Sequence, residues 1–436
     1  MNKDLICENI SVDSSGILHF AGQNTLTLAQ TYGTPVYLID EDRIRSRCRT
    51  YVNAMAEALG EKGHVLYASK AASYKRMYEI MAEEKMGIDV VSSGEIYTAL
   101  RAGFPLKKAF FHSNNKTDAD IEYAISNGIG YFVVDNAEEL YAIDRIAQAH
   151  GIRQNVILRL TPGIDPHTYE EVATGKVDSK FGSAIETGQA EGITKLALSF
   201  PNICLKGFHC HVGSQVFDSD VYIATVDIML EFIAHVKHTL GFEAEILDLG
   251  GGYGVRYTAD QPHIDIAANI LQVGKALETK AAALALQLPH IYMEPGRSIV
   301  ADAGMTLYTA GTVKRITGYK NYVSVDGGMT DNPRFILYGA PYTVVPAGKM
   351  LEKRDMVCDL VGRCCESGDV IQERIHLPES ICRGDIIACL TTGAYHYSMA
   401  SNYNRIPRPP VVMLRSGESY IAVRRETPED LAALDV

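Results

Sequence analysis

Between residues 64 and 295 the chain repeats one pattern eight times: a short apolar, β-branched run, then a stretch with helical spacing. The runs are HVLYAS (64–69), GIDVVS (87–92), AFFHS (109–113), YFVVD (131–135), VILRL (156–160), KGFHCHV (206–212), EILDLG (245–250) and HIYMEP (290–295). Near-continuous apolar runs of this length suit strands buried on both faces, as in a parallel sheet. Between the runs, Tyr74, Met77, Tyr78 and Met81 share one helical face, as do Leu140, Ile143 and Ala147. Ser92 with Glu95, and Asn136 with Glu139, have capping-box spacing, and Gly128 and Gly151 stand where helices should end. Eight strand–helix units in series predict a (β/α)8 barrel of the TIM type, with a doubly wound open sheet as the competing arrangement. The 162–183 segment, rich in Gly, Asp and Lys, reads as a loop over the barrel mouth.

After Gly304 the texture changes. TLYTAGTVKRI, NYVSVDGG, MVCDLVGR and DIIACLTT are strand-like, with Gly and Asp turns and no long helical pattern. A further strand, VYLID (36–40), falls outside the count of eight. The expected organisation is a barrel over residues 41–300 and a C-terminal antiparallel β domain over 301–436, joined by residues 1–40. A chain of 436 residues with 47% hydrophobic and 22% charged residues can bury cores of this size without staples.

Charge excludes one class of partner. The net charge of −12 comes with no Lys/Arg cluster, which argues against nucleic acid. The opening MNKDLICENISVDSSGILHF is too polar for a signal peptide, and no apolar stretch reaches transmembrane length, so neither export nor a membrane is expected. In a cytoplasmic chain the nine scattered cysteines, with no CxxC pair, read as thiols.

In a barrel of this type the chemistry lies at the C-terminal ends of the strands. Those ends carry Lys70, Asp89, His112, Asp135, Arg159, His209, His211, Gly250 to Gly252, Glu294 and Arg297. Any one alone reads as an ordinary loop residue; together they read as a catalytic ring. A lysine directly after an apolar strand (YASK) is usually a solvated charge, but desolvated at the mouth it would have its pKa lowered from about 10.4, which suits Schiff-base chemistry. The GGG run lets backbone N–H groups approach a phosphate, and EPGR brings a carboxylate and a guanidinium to the eighth strand end. A lysine facing phosphate-binding elements suggests pyridoxal phosphate. Glu294 would then keep the ring nitrogen protonated. His211 either stacks on that ring or is a hydrogen-bonded core histidine; the residues alone leave both readings open. His209 and His211 also alternate on one strand as metal ligands do. Barrel hydrolases place HxH on the first strand and Asp on the last, whereas here HCH is on the sixth and the eighth ends in Glu, so no metal is expected.

The chain resembles the diaminopimelate decarboxylase family, within the barrel-type pyridoxal-phosphate decarboxylases that also include ornithine and arginine decarboxylases. The resemblance rests on YASKA (67–71), DVVSSGE (89–95), HSNNK (112–116), SKFG (179–182), HVGSQ (211–215), DLGGGYG (248–254), EPGR (294–297), LYGA (337–340), CESGD (365–369), GAY (393–395) and SNYNRIPRP (401–409), in order over nearly the whole chain. It implies an alanine-racemase-like pairing of barrel and β domain, and decarboxylation of meso-2,6-diaminopimelate to L-lysine and CO2. By that resemblance Lys70 holds the cofactor covalently, Glu294 pairs with its ring nitrogen, His211 stacks on it, and Asp89 orders the network behind Lys70 and His211. Ser214, Gly251, Gly252, Gly296 and Arg297 hold the phosphate with the Tyr395 hydroxyl. Cys365 is the acid that returns a proton to Cα, acting across the interface of a homodimer with shared sites, and Cys364 beside it is expected to be structural, its side chain on the opposite face of a strand. The distal carboxylate falls to Arg297, Arg334 and Tyr338, the distal ammonium to Glu366, and Tyr395 also borders the substrate. The chain departs from the family pattern at Arg334-Phe335 and at APY (340–342).

Overall fold

The computed structural model describes residues 5–164 and 180–436, which fall into two compact units. One unit spans Arg47–Gly254 and Ile264–Ser298; the other spans Met1–Ser46, Val255–His263 and Ile299–Val436.

The first unit is the barrel. Its strands are Gly63–Ala68, Gly87–Val90, Ala109–Phe111, Tyr131–Val134, Gln154–Thr161, Ile203–His209, Ile246–Asp248 and His290–Met293. Each pairs in parallel with the next, and the eighth closes on the first with Ile291 opposite Gly63. All eight apolar runs are therefore barrel strands, and closure rules out the open sheet. Leu66, Phe110, Val133, Ile157 and Ile246 form one buried cluster, with Tyr131 and Tyr292 packed against it. Burial of side chains this size contributes about 1.5–3 kcal/mol each.

The helices follow the apolar spacing. Met77, Tyr78 and Met81 are buried in helix Lys75–Glu83, and Leu140, Ile143 and Ala147 in helix Ala137–Ala149. Gly128 and Gly151 lie just past helix ends at φ +73° and +64°, where a side chain would be strained. The two expected capping boxes form only by half. Ser92 Oγ and Asn136 Oδ1 accept from the backbone N–H of Glu95 and Glu139. The two glutamates, however, reach one residue further back, accepting from the N–H of Val91 (2.8 Å) and Asp135 (3.1 Å). They tie the strand ends, rather than the caps, to the helices.

In the second unit the long strand Gly304–Ile316 pairs antiparallel with Val36–Asp40, Lys320–Val325 and Ile386–Leu390. The sheet is mostly antiparallel, with two parallel pairings: Val36–Asp40 with Val411–Arg415, and Lys320–Val325 with Met356–Val361. Having a neighbour on each edge, Val36–Asp40 is buried at every position, which is why VYLID lacks alternation. Leu38, Met305, Leu307, Leu390 and Val412 belong to the core of this unit.

Candidate active site

The barrel unit gathers its polar strand ends around one carboxylate. Glu294 follows the eighth strand and is buried; its Oε1 accepts from His112 Nε2 at 2.7 Å and its Oε2 from His209 Nε2 at 3.1 Å. Burial alone would raise a carboxyl pKa, but the two imidazoles outweigh it and hold Glu294 well below the usual range. His209 is pushed down to about 4, chiefly by burial and against the pull of Glu294. It is a neutral imidazole with its proton on Nε2, which agrees with a buried Nδ1 that has no hydrogen-bond partner. An ionised carboxylate is thus held by two ring N–H groups at the barrel mouth.

Two more carboxyls flank it. Asp89 ends the second strand, with Oδ1 3.9 Å from His112 Nε2. Burial raises its pKa to about 6, with His112 opposing and Glu294 reinforcing the shift. Asp248 is held well above the usual range by burial and then by Glu294, while its Oδ1 accepts from Gly250 N–H at 2.8 Å. Of these three clustered carboxyls only Glu294 is held below the ordinary range.

His211 sits two residues beyond the sixth strand and is pushed well below the ordinary range by burial and then by the nearby positive charge of Lys70. Its Nδ1 accepts from the N–H of Gly251 at 3.3 Å, so the ring is uncharged. Lys70 lies in the single 3-10 turn Ser69–Ala71 after the first strand. Ser69 and Ala71 are buried while Lys70 is exposed.

The glycines of DLGGGYG and EPGR meet a packing demand first. A Cβ on Gly251 would stand 2.2 Å from the carbonyl oxygen of Glu294, one on Gly252 2.4 Å from that of Gly213, and one on Gly296 2.9 Å from Ala68 Cβ. At Gly251 and Gly252 the near atom is backbone, and Gly252 also has φ +121°. Beside them, Arg297 Nε and Nη2 each lie 3.1 Å from Ser214 Oγ and donate to it. A lysine on a turn, an ionised carboxylate, an uncharged imidazole and side-chain-free backbone with Ser214 and Arg297 form a donor set that fits pyridoxal phosphate. His112, His209 and Glu294 also have the composition of a metal site. Both Nε2 atoms are already engaged as donors to Glu294, and a ligating nitrogen cannot carry that proton.

The remaining predicted residues belong to the β unit. Arg334 opens the short helix Arg334–Tyr338 behind Pro333, its guanidinium 4.8 Å from the Tyr338 ring and 5.0 Å from the Tyr395 ring. It is buried, and its Nε donates to nothing among the described residues. Tyr395 is held at φ +64°. Cys364 and Cys365 were expected on a strand with opposed side chains; both lie instead in the bend between strands Met356–Val361 and Val370–Leu377. Asp369 and Asn404 explain the bend, accepting from Cys364 N–H at 2.7 Å and Cys365 N–H at 2.8 Å. Cys365 and Glu366 are exposed, and Glu366 Oε1 accepts from Gly368 N–H at 3.2 Å. Cys364 is half-buried, and burial together with Asp369 pushes its thiol up to about 12.

Sequence reading placed His112 and His209 in the ring of strand-end residues but did not pair them with Glu294, and it passed over Asp248, which ends the seventh strand; nothing in their spacing links any of the three to residue 294. Of the expected mouth loop, residues 165–179 lie outside the described residues. Its end is tied down: Ser183–Ala184 pairs with the fifth strand, and Gly182 N–H donates to Asp135 Oδ1 at 3.0 Å.

Comparison with known proteins agrees with this geometry. Residues 41–301 match the pyridoxal-binding domain of the pyridoxal-dependent decarboxylases. A diaminopimelate decarboxylase of Bacillus methanolicus is 44% identical over 95% of this chain and 96% of its own length. That of Bacillus subtilis is 42% identical over 97% and 95%. The crystal structure of an M. jannaschii diaminopimelate decarboxylase in complex with L-lysine superposes with a TM-score of 0.91 at 31% identity, covering 100% of this chain and 99% of the other.

Proposed function

This chain belongs to the diaminopimelate decarboxylase family, and from that premise we propose how its own residues decarboxylate meso-2,6-diaminopimelate to L-lysine and CO2. The enzyme is a pyridoxal-phosphate-dependent carboxy-lyase acting on a small amino acid. The observation that carries the assignment to the barrel mouth is Glu294, a buried carboxylate kept ionised by His112 and His209. Pyridoxal phosphate, when bound, supplies an electron sink for the pair left behind by departing CO2, provided its ring nitrogen keeps a proton.

The residues divide the work. Glu294 would keep the ring nitrogen protonated. His211, uncharged, would lie beside the ring, and Asp89 would order the polar groups behind Lys70, which would anchor the cofactor. Ser214, Gly251, Gly252, Gly296, the backbone of Arg297 and the Tyr395 hydroxyl hold the phosphate. Arg334, Arg297 and Tyr338 receive the distal carboxylate, bordered by Tyr395, and Glu366 receives the distal ammonium. What supports the carboxylate assignment is the buried, unpartnered Nε of Arg334. A bidentate Arg–carboxylate pair satisfies such a donor, whereas an ammonium repels it. Cys365 delivers the proton to Cα after CO2 leaves, and we place it in a site shared between two copies of the chain. Its exposure, with that of Glu366, supports a role completed by a second copy.

A cytoplasmic location agrees with nine cysteines of which none is disulfide-bonded. Among the described residues no helix is long and apolar enough to cross a membrane. The deciding experiment is a substrate panel on purified, cofactor-loaded protein, reading CO2 and amine products from meso-diaminopimelate, ornithine and arginine. L-lysine release from meso-diaminopimelate, with the other two far slower, is expected. A preference for ornithine or arginine would overturn the substrate assignment and leave the decarboxylase class standing.

A further inference from the structure

A cavity lies in the barrel unit among residues at the entry ends of the strands. It measures about 290 Å³ and takes its cationic groups from Lys85, Lys107 and Lys108, with the His64 ring in its wall. Lys85 sits in the turn leading into the second strand, at φ +62°. Lys107 and Lys108 form the end of the 3-10 turn Leu106–Lys108 leading into the third. The N-terminal face of a (β/α)8 barrel ordinarily serves stability, not chemistry. This one is costly in that respect.

The chain as a whole carries a net charge of −12, yet no Asp or Glu borders this cavity. Lys85, Lys107 and Lys108 make no ion pair among the described residues, whereas Lys116, Lys206, Lys280 and Lys349 all do. Three ammonium groups around one hollow repel one another, and only solvent or an anion relieves the repulsion. Backbone shape keeps the hollow open. A Cβ on Gly87 would stand 2.4 Å from Leu66 Cδ2 and 2.8 Å from the carbonyl oxygen of Lys108, so the second strand enters side-chain-free beside the lysines.

The remaining wall is aromatic. His64 stacks on Tyr292 with ring centroids 4.5 Å apart, and Tyr131 stacks on Phe110 at 4.4 Å. His64 Nε2 is 2.9 Å from His290 Nδ1, which fixes the ring across the floor. Half-buried tyrosines offer both flat apolar surface and hydroxyl donors.

We propose that this strand-entry cavity is an anion site for a small phosphate-bearing molecule, separate from the cofactor site. The three lysines receive the phosphate groups, and the Tyr131–Tyr292–His64 wall receives the uncharged part. Inorganic pyrophosphate is the minimal probe. It should be titrated calorimetrically into cofactor-loaded enzyme, so that the phosphate cradle of the active site is already filled.

Saturable binding is expected for the wild type, weakened at least tenfold in a Lys107→Ala/Lys108→Ala variant and further when Lys85→Ala is added. Decarboxylation without pyrophosphate should be unchanged in those variants. All three lysines are exposed, so the substitutions spare the core. A Lys107→Arg/Lys108→Arg variant should retain binding. No saturable binding to the wild type, or equal affinity in the triple variant, would overturn the proposal.

Discussion

Glu294 Oε1 lies 2.7 Å from His112 Nε2, although the two residues are 182 positions apart in the chain. The carboxylate proposed to keep the ring nitrogen protonated is thus set by an imidazole from a distant strand of the barrel. Glu294→Gln keeps the shape and most of the hydrogen-bonding capacity but removes the charge. Cofactor should still bind, while kcat falls on the order of 10²-fold or more, since the lost electrostatic stabilisation acts in a water-excluded site. Near-wild-type turnover would remove Glu294 from its proposed role.

Acid sensitivity follows from His209. Its folded pKa, about 4, lies below the ordinary 6.5. Between those values the unfolded chain takes up a proton that the folded chain refuses. The associated stability is therefore fully present above about pH 6.5 and lost as pH falls towards 4, to a total of about 3 kcal/mol. Glu294, held well below 4.5, acts only at lower pH. Denaturant melts from pH 7 to 4.5 should show the decline, and His209→Asn should flatten it. An equally steep decline in the variant would show that other groups are responsible.

Lys116 is a stability element. Its Nζ, fully buried, donates to Glu139 Oε1 (2.7 Å), Val133 O (2.8 Å) and Ser113 O (3.1 Å). Lys116→Met leaves the Glu139 carboxylate buried without its cation, a loss of about 3–5 kcal/mol. Adding Glu139→Leu should recover much of that loss, as read by thermal melts. A double variant no more stable than the single one would contradict the pairing.

Cys365 and Cys364 should separate cleanly. Cys365→Ala should bind cofactor and substrate but protonate Cα slowly, because the proposed acid is gone. Cys364→Ala, a half-buried thiol pushed to about 12, should cost stability and little turnover. If Cys365 acts across a subunit interface, mixing Lys70→Ala and Cys365→Ala proteins restores part of the activity, since mixed dimers hold one intact site. Lack of recovery after proven subunit exchange would put each site in a single chain.

Removal of the distal clamp should change selectivity as well as rate. Arg334→Ala deletes a buried guanidinium, so kcat/KM for meso-diaminopimelate should fall by about 3–5 kcal/mol in transition-state terms, with cofactor binding intact. Discrimination against substrates lacking the distal carboxylate should fall with it. Glu366→Ala should reduce kcat/KM without relaxing the carboxylate requirement. An Arg334→Ala enzyme that handles diaminopimelate as well as the wild type would refute the clamp.

What the sequence determined by itself is what repeats locally. Apolar runs alternating with helical spacing marked all eight barrel strands, because a strand buried on both faces must be apolar throughout. Local spacing located the Lys70 turn, the helix faces at Met77 and Leu140, and the C-terminal glycines at 128 and 151 in the same way. Tertiary structure alone decided where side chains reach. Glu95 and Glu139 have capping-box spacing, yet they bond Val91 and Asp135, since the strand ends offered unpaired N–H groups within reach. The glycines at 251, 252 and 296 read as phosphate-binding backbone, but the closed barrel already requires them where main chains pass within a side chain's width. Cys364 and Cys365 read as a strand until Asp369 and Asn404 captured their amides and bent the chain. Which imidazoles ionise Glu294 depends on barrel closure, which brings the third, sixth and eighth strand ends together over separations that no local pattern encodes.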